Sequence, residues 1–230
     1  MGMSNAHPAK VPADTLASRP LYRLKDTHGM KIRRALVAFM LPLSGCAFMV
    51  HDVRIDYVFR GSVASDLNVS REKLRLGSFE DSRDNPNVRM IIHETNGYGQ
   101  PTSGGWQAEK PISEIVRDAV AQGLVAAHAP VVESDETVVL TGEVLDYRYR
   151  FEAQFWSGDV FPMLTVKFRL KDAVSHDTLW SKEITGSGKY HGSFMPATEL
   201  LFRSALDDLA LRVASDGSLA QALSHPEHRR

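Results

Sequence analysis

The chain has 230 residues, 43% of them hydrophobic and 24% charged, with one cysteine and a formal net charge of −1. Residues 1–45 hold seven Lys/Arg and two Asp, a contribution of +5, which leaves about −6 (−1 minus 5) for the rest. This length allows one domain with its own core. A single cysteine excludes a disulfide framework, and an acidic domain has no electrostatic reason to bind nucleic acid or an anionic lipid surface non-specifically.

The first 29 residues show no apolar periodicity and precede a second internal methionine, Met30. Because signal peptides normally begin at the initiator methionine, we interpret residues 1–29 as a non-native or mis-annotated extension. The alternative is an unusually long basic head on the signal that follows.

Residues 30–45 have the parts of an export signal in order: a basic head, an apolar run, and the small residues Ser44 and Gly45. A membrane-spanning helix needs about 20 apolar residues, and this run is shorter. Pro42 also removes a backbone donor near its end. The run has no polar face, which argues against a buried core helix. We therefore interpret residues 30–45 as a signal peptide.

The next residue is Cys46, and the ending Leu-Ser-Gly-Cys at 43–46 resembles the lipobox of bacterial lipoproteins. The resemblance implies that the Cys46 sulfur carries a diacylglycerol, that a peptidase cuts just before it, and that the lipid anchors the protein. Ala47 stands where Asp would favour retention in the inner membrane of enterobacteria. The resemblance thus implies delivery to the periplasmic face of the outer membrane.

After the signal, apolar alternation predicts several strands. We interpret residues 46–65 as a tether with a first short strand and residues 80–87 as turns. The Gly-rich segment 96–106 is predicted to be a long irregular loop. The strands predicted here cover 53–59, part of 67–79, and 88–93.

The second half contains two amphipathic helices. Pro111 suits the first turn of a helix, and an apolar stripe continues from it to Ala127. The second helix is predicted from Pro196 to Val213, with one or two further helical turns at 218–223 and a disordered tail at 224–230.

Three further strands are predicted between the helices, at 138–155, at 164–171, and around Trp180 and Ile184. A slip in apolar parity near Gly142 indicates a bulge there. This order predicts an α+β fold, a two-layer sandwich in which two helices pack on one face of a mainly antiparallel sheet. A single domain is predicted to span residues 66–223.

The order of several short segments resembles the YajG-type lipoproteins, which are similar in outline to auxiliary lipoproteins of ABC-type transport systems. The resemblance implies location and fold more than activity. After the lipobox, the matching segments are Leu-Gly-Ser-Phe-Glu-Asp-Ser-Arg at 76–83, Asn-Gly-Tyr-Gly at 96–99, Glu-Lys-Pro-Ile at 109–112 and Ala-Leu-Asp-Asp-Leu at 205–209.

Candidate sites for chemistry each have a structural alternative. Asp81, Arg83 and Asp84 form a charged group at a strand end, although turn capping and a local ion pair explain them more simply. The Gly-rich loop has no phosphate-binding spacing. The histidines show no metal-ligand spacing. They are His93, His128, His176 and His191.

Aromatic residues give two further candidates. Tyr147, Tyr149 and Phe151 alternate as one strand face against a core would, although they could also stack a ligand. Trp106, Trp156 and Phe161 in predicted loops are candidate anchors for a partner.

These patterns predict a lipid-anchored lipoprotein that acts as a non-catalytic binding or assembly module of the cell envelope. The alternative is a periplasmic carrier for a lipid or glycan, auxiliary to a transport system. The expected partners are the membrane, through the lipid on Cys46, and an unidentified envelope protein. No enzyme activity, nucleic acid, metal or cofactor is expected.

Overall fold

The computed structural model describes residues 49–63, 67, 72–96, 98–153, 155–192 and 196–224. The predicted extension and signal peptide, Cys46 and the tail from residue 225 onward lie outside these residues. No helix in the described part of the chain combines the length and apolar content needed to cross a membrane.

The described residues form eight strands and three helices. The strands are β1 Val50–Val53, β2 Leu74–Asp81, β3 Met90–Thr95, β4 Pro101–Ala108, β5 Val138–Ala153, β6 Gly158–Asp172, β7 Thr178–Ser187 and β8 Tyr190–Gly192. The helices are α1 Ile112–Ala126, α2 Thr198–Ala214 and α3 Gly217–Ser224.

The larger sheet has the strand order β2-β5-β6-β7, and β8 pairs with the first residues of β6. β5, β6 and β7 form the predicted antiparallel meander, and β2 joins β5 in parallel. Along β6, Val166, Phe168 and Leu170 are buried, while the residues between them are only partly so. This alternation leaves one face of the sheet for the helices.

The bulge in β5 lies at Leu145, three residues beyond the position predicted at Gly142. Val144 and Asp146 pair with consecutive residues of β6, which leaves Leu145 as the extra residue. Because one extra residue exchanges the two faces of a strand, Tyr147 continues the buried face that Val144 occupies before the bulge.

Helices α1 and α2 pack on each other and on the larger sheet, with α1 against β2 and β5 and α2 against β6 and β7. They approach closely at Gly123, where an added Cβ would lie 2.9 Å from the Ala210 carbonyl oxygen. The space between helices and sheet is filled by large, fully buried side chains. These include Phe168, Phe202, Leu140, Leu164, Leu206 and Leu209.

The smaller sheet has the order β1-β4-β3, with β3 and β4 antiparallel and β1 parallel to β4. Val50 of β1 lies opposite Gly105 of β4. Gly105 has φ +152°, and an added Cβ would overlap the carbonyl oxygen of Ile92 on β3. Only glycine tolerates this conformation and this close approach. The glycine therefore belongs to a strand, where composition alone predicts a loop.

The predicted fold class is confirmed, since the chain is α+β with helices packed on a largely antiparallel sheet. The smaller sheet adds to the predicted two layers, and α3 forms where further helical turns are predicted at 218–223. The predicted tail begins one residue early, because Ser224 ends α3.

Two local predictions are wrong. The predicted strand at 53–59 is irregular beyond Val53, because its backbone donors bond side chains near α1 instead of a neighbouring strand. The predicted loop at 96–106 contains most of β4.

Candidate functional site

Residues 54–60, called the strap here, run from β1 across the surface beside α1. The backbone N–H of Ile55 donates to Glu109 Oε2 at 2.9 Å, and that of Phe59 donates to Gln122 Oε1 at 2.9 Å. Gln122 Nε2 in turn donates to the Tyr57 carbonyl oxygen at 3.4 Å. Side chains thus satisfy the strap's backbone where no partner strand does.

The first cleft lies between the strap and the start of α1 and has a volume of about 650 Å³. Its size is typical of small-ligand pockets. Its charges are already paired, since Arg54 lies 2.8 Å from Asp56 and Lys110 lies 3.6 Å from Asp118. A ligand that bound here would compete with these contacts.

The second cleft, of about 250 Å³, lies on the other side of the strap against α2. Three buried polar atoms around it have no hydrogen-bond partner among the described residues: the Tyr57 hydroxyl, Arg203 Nε and Asp207 Oδ1. Burial, and then the nearby Asp207 carboxylate, raise the pKa of the Tyr57 hydroxyl. The hydroxyl therefore stays protonated beside the Asp207 carboxylate.

The charged group at the end of β2 is a buried ion pair. Arg83 Nη2 and Nε lie 2.6 and 2.8 Å from the carboxylate oxygens of Asp81. The two side chains are only 8% and 4% exposed. Arg83 Nη1 also donates to the Ile91 carbonyl oxygen of β3 at 3.5 Å, while Asp84 is exposed. The local ion pair of Arg83 agrees with the structural alternative, and the contact with Ile91 also ties the end of β2 to the smaller sheet.

The histidines lie apart from one another. His93 is on β3, while His128 and His176 occupy turn positions with φ values of 56° and 64°. His191 on β8 lies 2.6 Å from Asp159, and the hydrogen bond from His191, followed by that from Lys189, lowers the pKa of Asp159. The described residues contain no group of three or more His, Cys, Asp or Glu side chains suited to a metal ion.

Most of the candidate aromatic residues are structural. Trp106 is on β4 and stacks on His51 at 5.7 Å. Tyr147 is buried and meets the Phe202 ring edge-on at 5.0 Å. Phe161 lies on β6 beneath Arg150, at 5.0 Å. Each of these three rings thus contacts a neighbouring side chain of the fold.

The turn between β5 and β6 carries the exception. Phe155 and Trp156, called the aromatic tip here, are 87% and 82% exposed and meet edge-to-face at 4.6 Å. The sequence singles out Trp156 as an exposed aromatic, and the structure confirms its exposure. It also shows that Phe155 shares the position, because β5 ends at Ala153, two residues before the end of the predicted strand.

No family model and no curated protein matches this chain. Among solved structures, a Xanthomonas campestris protein described by the family model DUF330 superposes with a TM-score of 0.54 at 15% identity. The match covers 75% of this chain and 96% of that one. The two share a fold.

Other similar structures are described as lipoproteins. The minor lipoprotein of Acinetobacter baumannii is 16% identical, with a TM-score of 0.39 over 65% of this chain and 92% of that one. A Neisseria meningitidis lipoprotein is 14% identical, with a TM-score of 0.26 over 60% and 98%. These likenesses are too distant to assign a role. The YajG-type assignment stays a prediction.

Proposed function

We propose that this protein is a lipoprotein of the bacterial envelope, anchored through a lipid on Cys46, whose folded part is a non-catalytic binding or assembly module. The observation that carries the proposal is the spacing between lipobox and fold. Cys46 completes the lipobox, and β1 begins only four residues later, at Val50. The folded part thus begins where a lipoprotein's mature chain would begin.

The short connection has a mechanical consequence. Four residues of extended chain span at most about 14 Å, so the smaller sheet would be held close to the membrane surface. Each buried methylene of the anchor contributes about 0.8 kcal/mol, and more than one acyl chain is needed for stable attachment. By the sorting rule, Ala47 favours the periplasmic face of the outer membrane.

The filled core supports a binding module over a lipid carrier. Large side chains occupy the space between the helices and the larger sheet, where a carrier would enclose its ligand. Exposed apolar side chains lie instead on the protein surface, at the aromatic tip, and such exposed groups are typical of proteins that bind partners.

The carrier remains the second candidate because the first cleft has the volume of a ligand pocket. Mass spectrometry of small molecules that copurify with the protein tests it. A glycan or lipid that is retained by the wild type and lost on Asp118→Ala would favour the carrier, since Asp118 lines that cleft.

Metabolic labelling with a clickable fatty acid tests the anchor. Cells that express the full chain should label it, whereas Cys46→Ser should abolish labelling, because a hydroxyl does not accept the diacylglycerol in place of the thiol. Ser44→Thr, a small change two residues before the cysteine, serves as the control and should keep most of the label. Equal labelling of wild type and Cys46→Ser would end the lipoprotein proposal.

A further inference from the structure

The aromatic tip exposes two large apolar rings, Phe155 and Trp156, at the β5–β6 turn. Phe151, which lies just before it on β5, is also 53% exposed. Three aromatic rings therefore project at one end of the long hairpin. Exposed groups of this kind mark contact with a protein or a membrane.

The charges beside the tip neutralise one another. Arg148 lies 3.4 Å from Asp146, and Arg150 lies 3.0 Å from Glu152. With these pairs closed, the tip offers little net charge to attract an ionic partner. What it offers is aromatic surface, and tryptophan concentrates in the headgroup layer of bilayers, where one part of the ring is in apolar surroundings and the other in water.

The course of β3 shows which end of the molecule the tip occupies. β3 contacts β5. Near the start of β3, the Ile91 carbonyl oxygen accepts a hydrogen bond from Arg83. Arg83 follows Asp81, the last residue of β2, which pairs with Val144 of β5. Further along, burial and then the charge of Glu94 raise the pKa of Tyr149, so the end of β3 lies near Tyr149. β3 and β5 therefore run toward the same end.

The chain enters the fold from that same end. Val50 lies opposite Gly105, which lies opposite His93 on β3. β4 runs away from the β3–β4 turn, and β1 is parallel to it, so the residues before Val50 come from the direction of that turn. The four residues from Cys46 to Val50 can span at most about 14 Å.

The tip lies toward the same end, further along β5. From Tyr149 to Phe155 is six residues, or about 20 Å along the hairpin. Tyr98, in the β3–β4 turn, is 92% exposed at the same end. The lipid-bearing residue and the exposed aromatics can therefore meet one membrane plane.

We propose that the aromatic tip inserts into the headgroup layer of the membrane that holds the Cys46 lipid, as a second attachment point that fixes the orientation of the folded part. This inference rests on the proposed function, since it needs the anchor to bring the tip to the membrane. The attachment is aromatic and needs no anionic lipid, in keeping with the acidic mature chain.

Tryptophan quenching in vesicles tests the contact. The lipidated full chain is reconstituted into phosphatidylethanolamine vesicles that contain phosphatidylcholine brominated near the headgroup end of its acyl chains. Wild type should lose part of its emission to the bromolipid, and Trp156→Phe should lose that quenched component. Trp180→Phe is the matched control and should keep it, because Trp180 lies on β7 and donates to Ser218 of α3, away from the tip.

Fatty-acid labelling of each variant separates the two proposals. A chain without label contradicts the proposed function. A labelled chain in which Trp156→Phe leaves the quenched component unchanged overturns this inference alone. Circular dichroism checks that both variants fold, and both replacements keep an aromatic ring.

Discussion

Helix α1 holds two parts of the molecule by different forces. On its buried face, Ile112, Val116 and Val120 enter the core that the larger sheet shares, with exposures of 0%. Beside it, Gln122 holds the strap through hydrogen bonds to backbone atoms. The first contact follows from apolar burial over many residues, and the second depends on a few polar atoms in one geometry.

The difference predicts how substitutions in each region change stability. Apolar burial in a close-packed core contributes several kcal/mol per large side chain, whereas a half-exposed hydrogen bond contributes about 1 kcal/mol, because water replaces the lost partner. The core should therefore set global stability. The strap should open locally at much lower cost.

The largest expected effect is in the core. Phe168 is fully buried on β6 and meets the Phe79 ring at 6.1 Å. Phe168→Ala should lower the free energy of unfolding by roughly 3–5 kcal/mol, because it removes buried apolar area and leaves a cavity. Denaturant melts of the full chain measure it.

The neighbouring Arg169 is the control for that variant. It faces the opposite side of the sheet, 2.9 Å from Glu143, and its side chain is 36% exposed. Arg169→Ala should cost about 0.5 kcal/mol, since exposed ion pairs contribute little. If Arg169→Ala proved the more damaging change, the assignment of the buried face of β6 would be wrong.

The same contrast explains which elements can be recognised from the sequence. β6 and α1 are recognisable because their apolar residues recur with the period of the element, and burial alone selects that pattern. The strap and β4 are not, because Glu109 and Gln122 act on residues far away in the chain, and Gly105 serves a close backbone approach that composition assigns to a loop.

The candidate site follows the same division. The resemblance to a lipobox rests on a local motif at 43–46, which is legible in sequence. The aromatic tip depends on how far β5 and β6 stay paired, so Trp156 is predicted in a loop, whereas Phe155 is predicted as the last residue of a strand. The placement of the tip at the same end as the chain entry is a property of strand order, which no local pattern encodes.

An intermediate effect is expected at the ion pair that joins β2 to the smaller sheet. Arg83→Met should cost about 3 kcal/mol, because it leaves the nearly buried Asp81 carboxylate without its partner. The double variant Asp81→Asn/Arg83→Met should be less damaging than Arg83→Met alone, since no uncompensated charge remains. Denaturant melts of Asp81→Asn, Arg83→Met and the double variant give the comparison. A double variant that loses as much as the sum of both single changes would show that the two side chains act independently.

The smallest expected effect is at the strap, and it is local. Gln122→Ala removes the acceptor of the Phe59 N–H, so global stability should fall by about 1 kcal/mol or less. Hydrogen exchange of the strap amides, Phe59 above all, should accelerate well before that of α1, because the segment loses its contact without disturbing the core. Glu114→Ala, an exposed change on the same helix, should leave strap exchange unaltered. If Gln122→Ala instead accelerated exchange throughout the larger sheet, the strap would be part of the cooperative core, and the division between the two regions would fail.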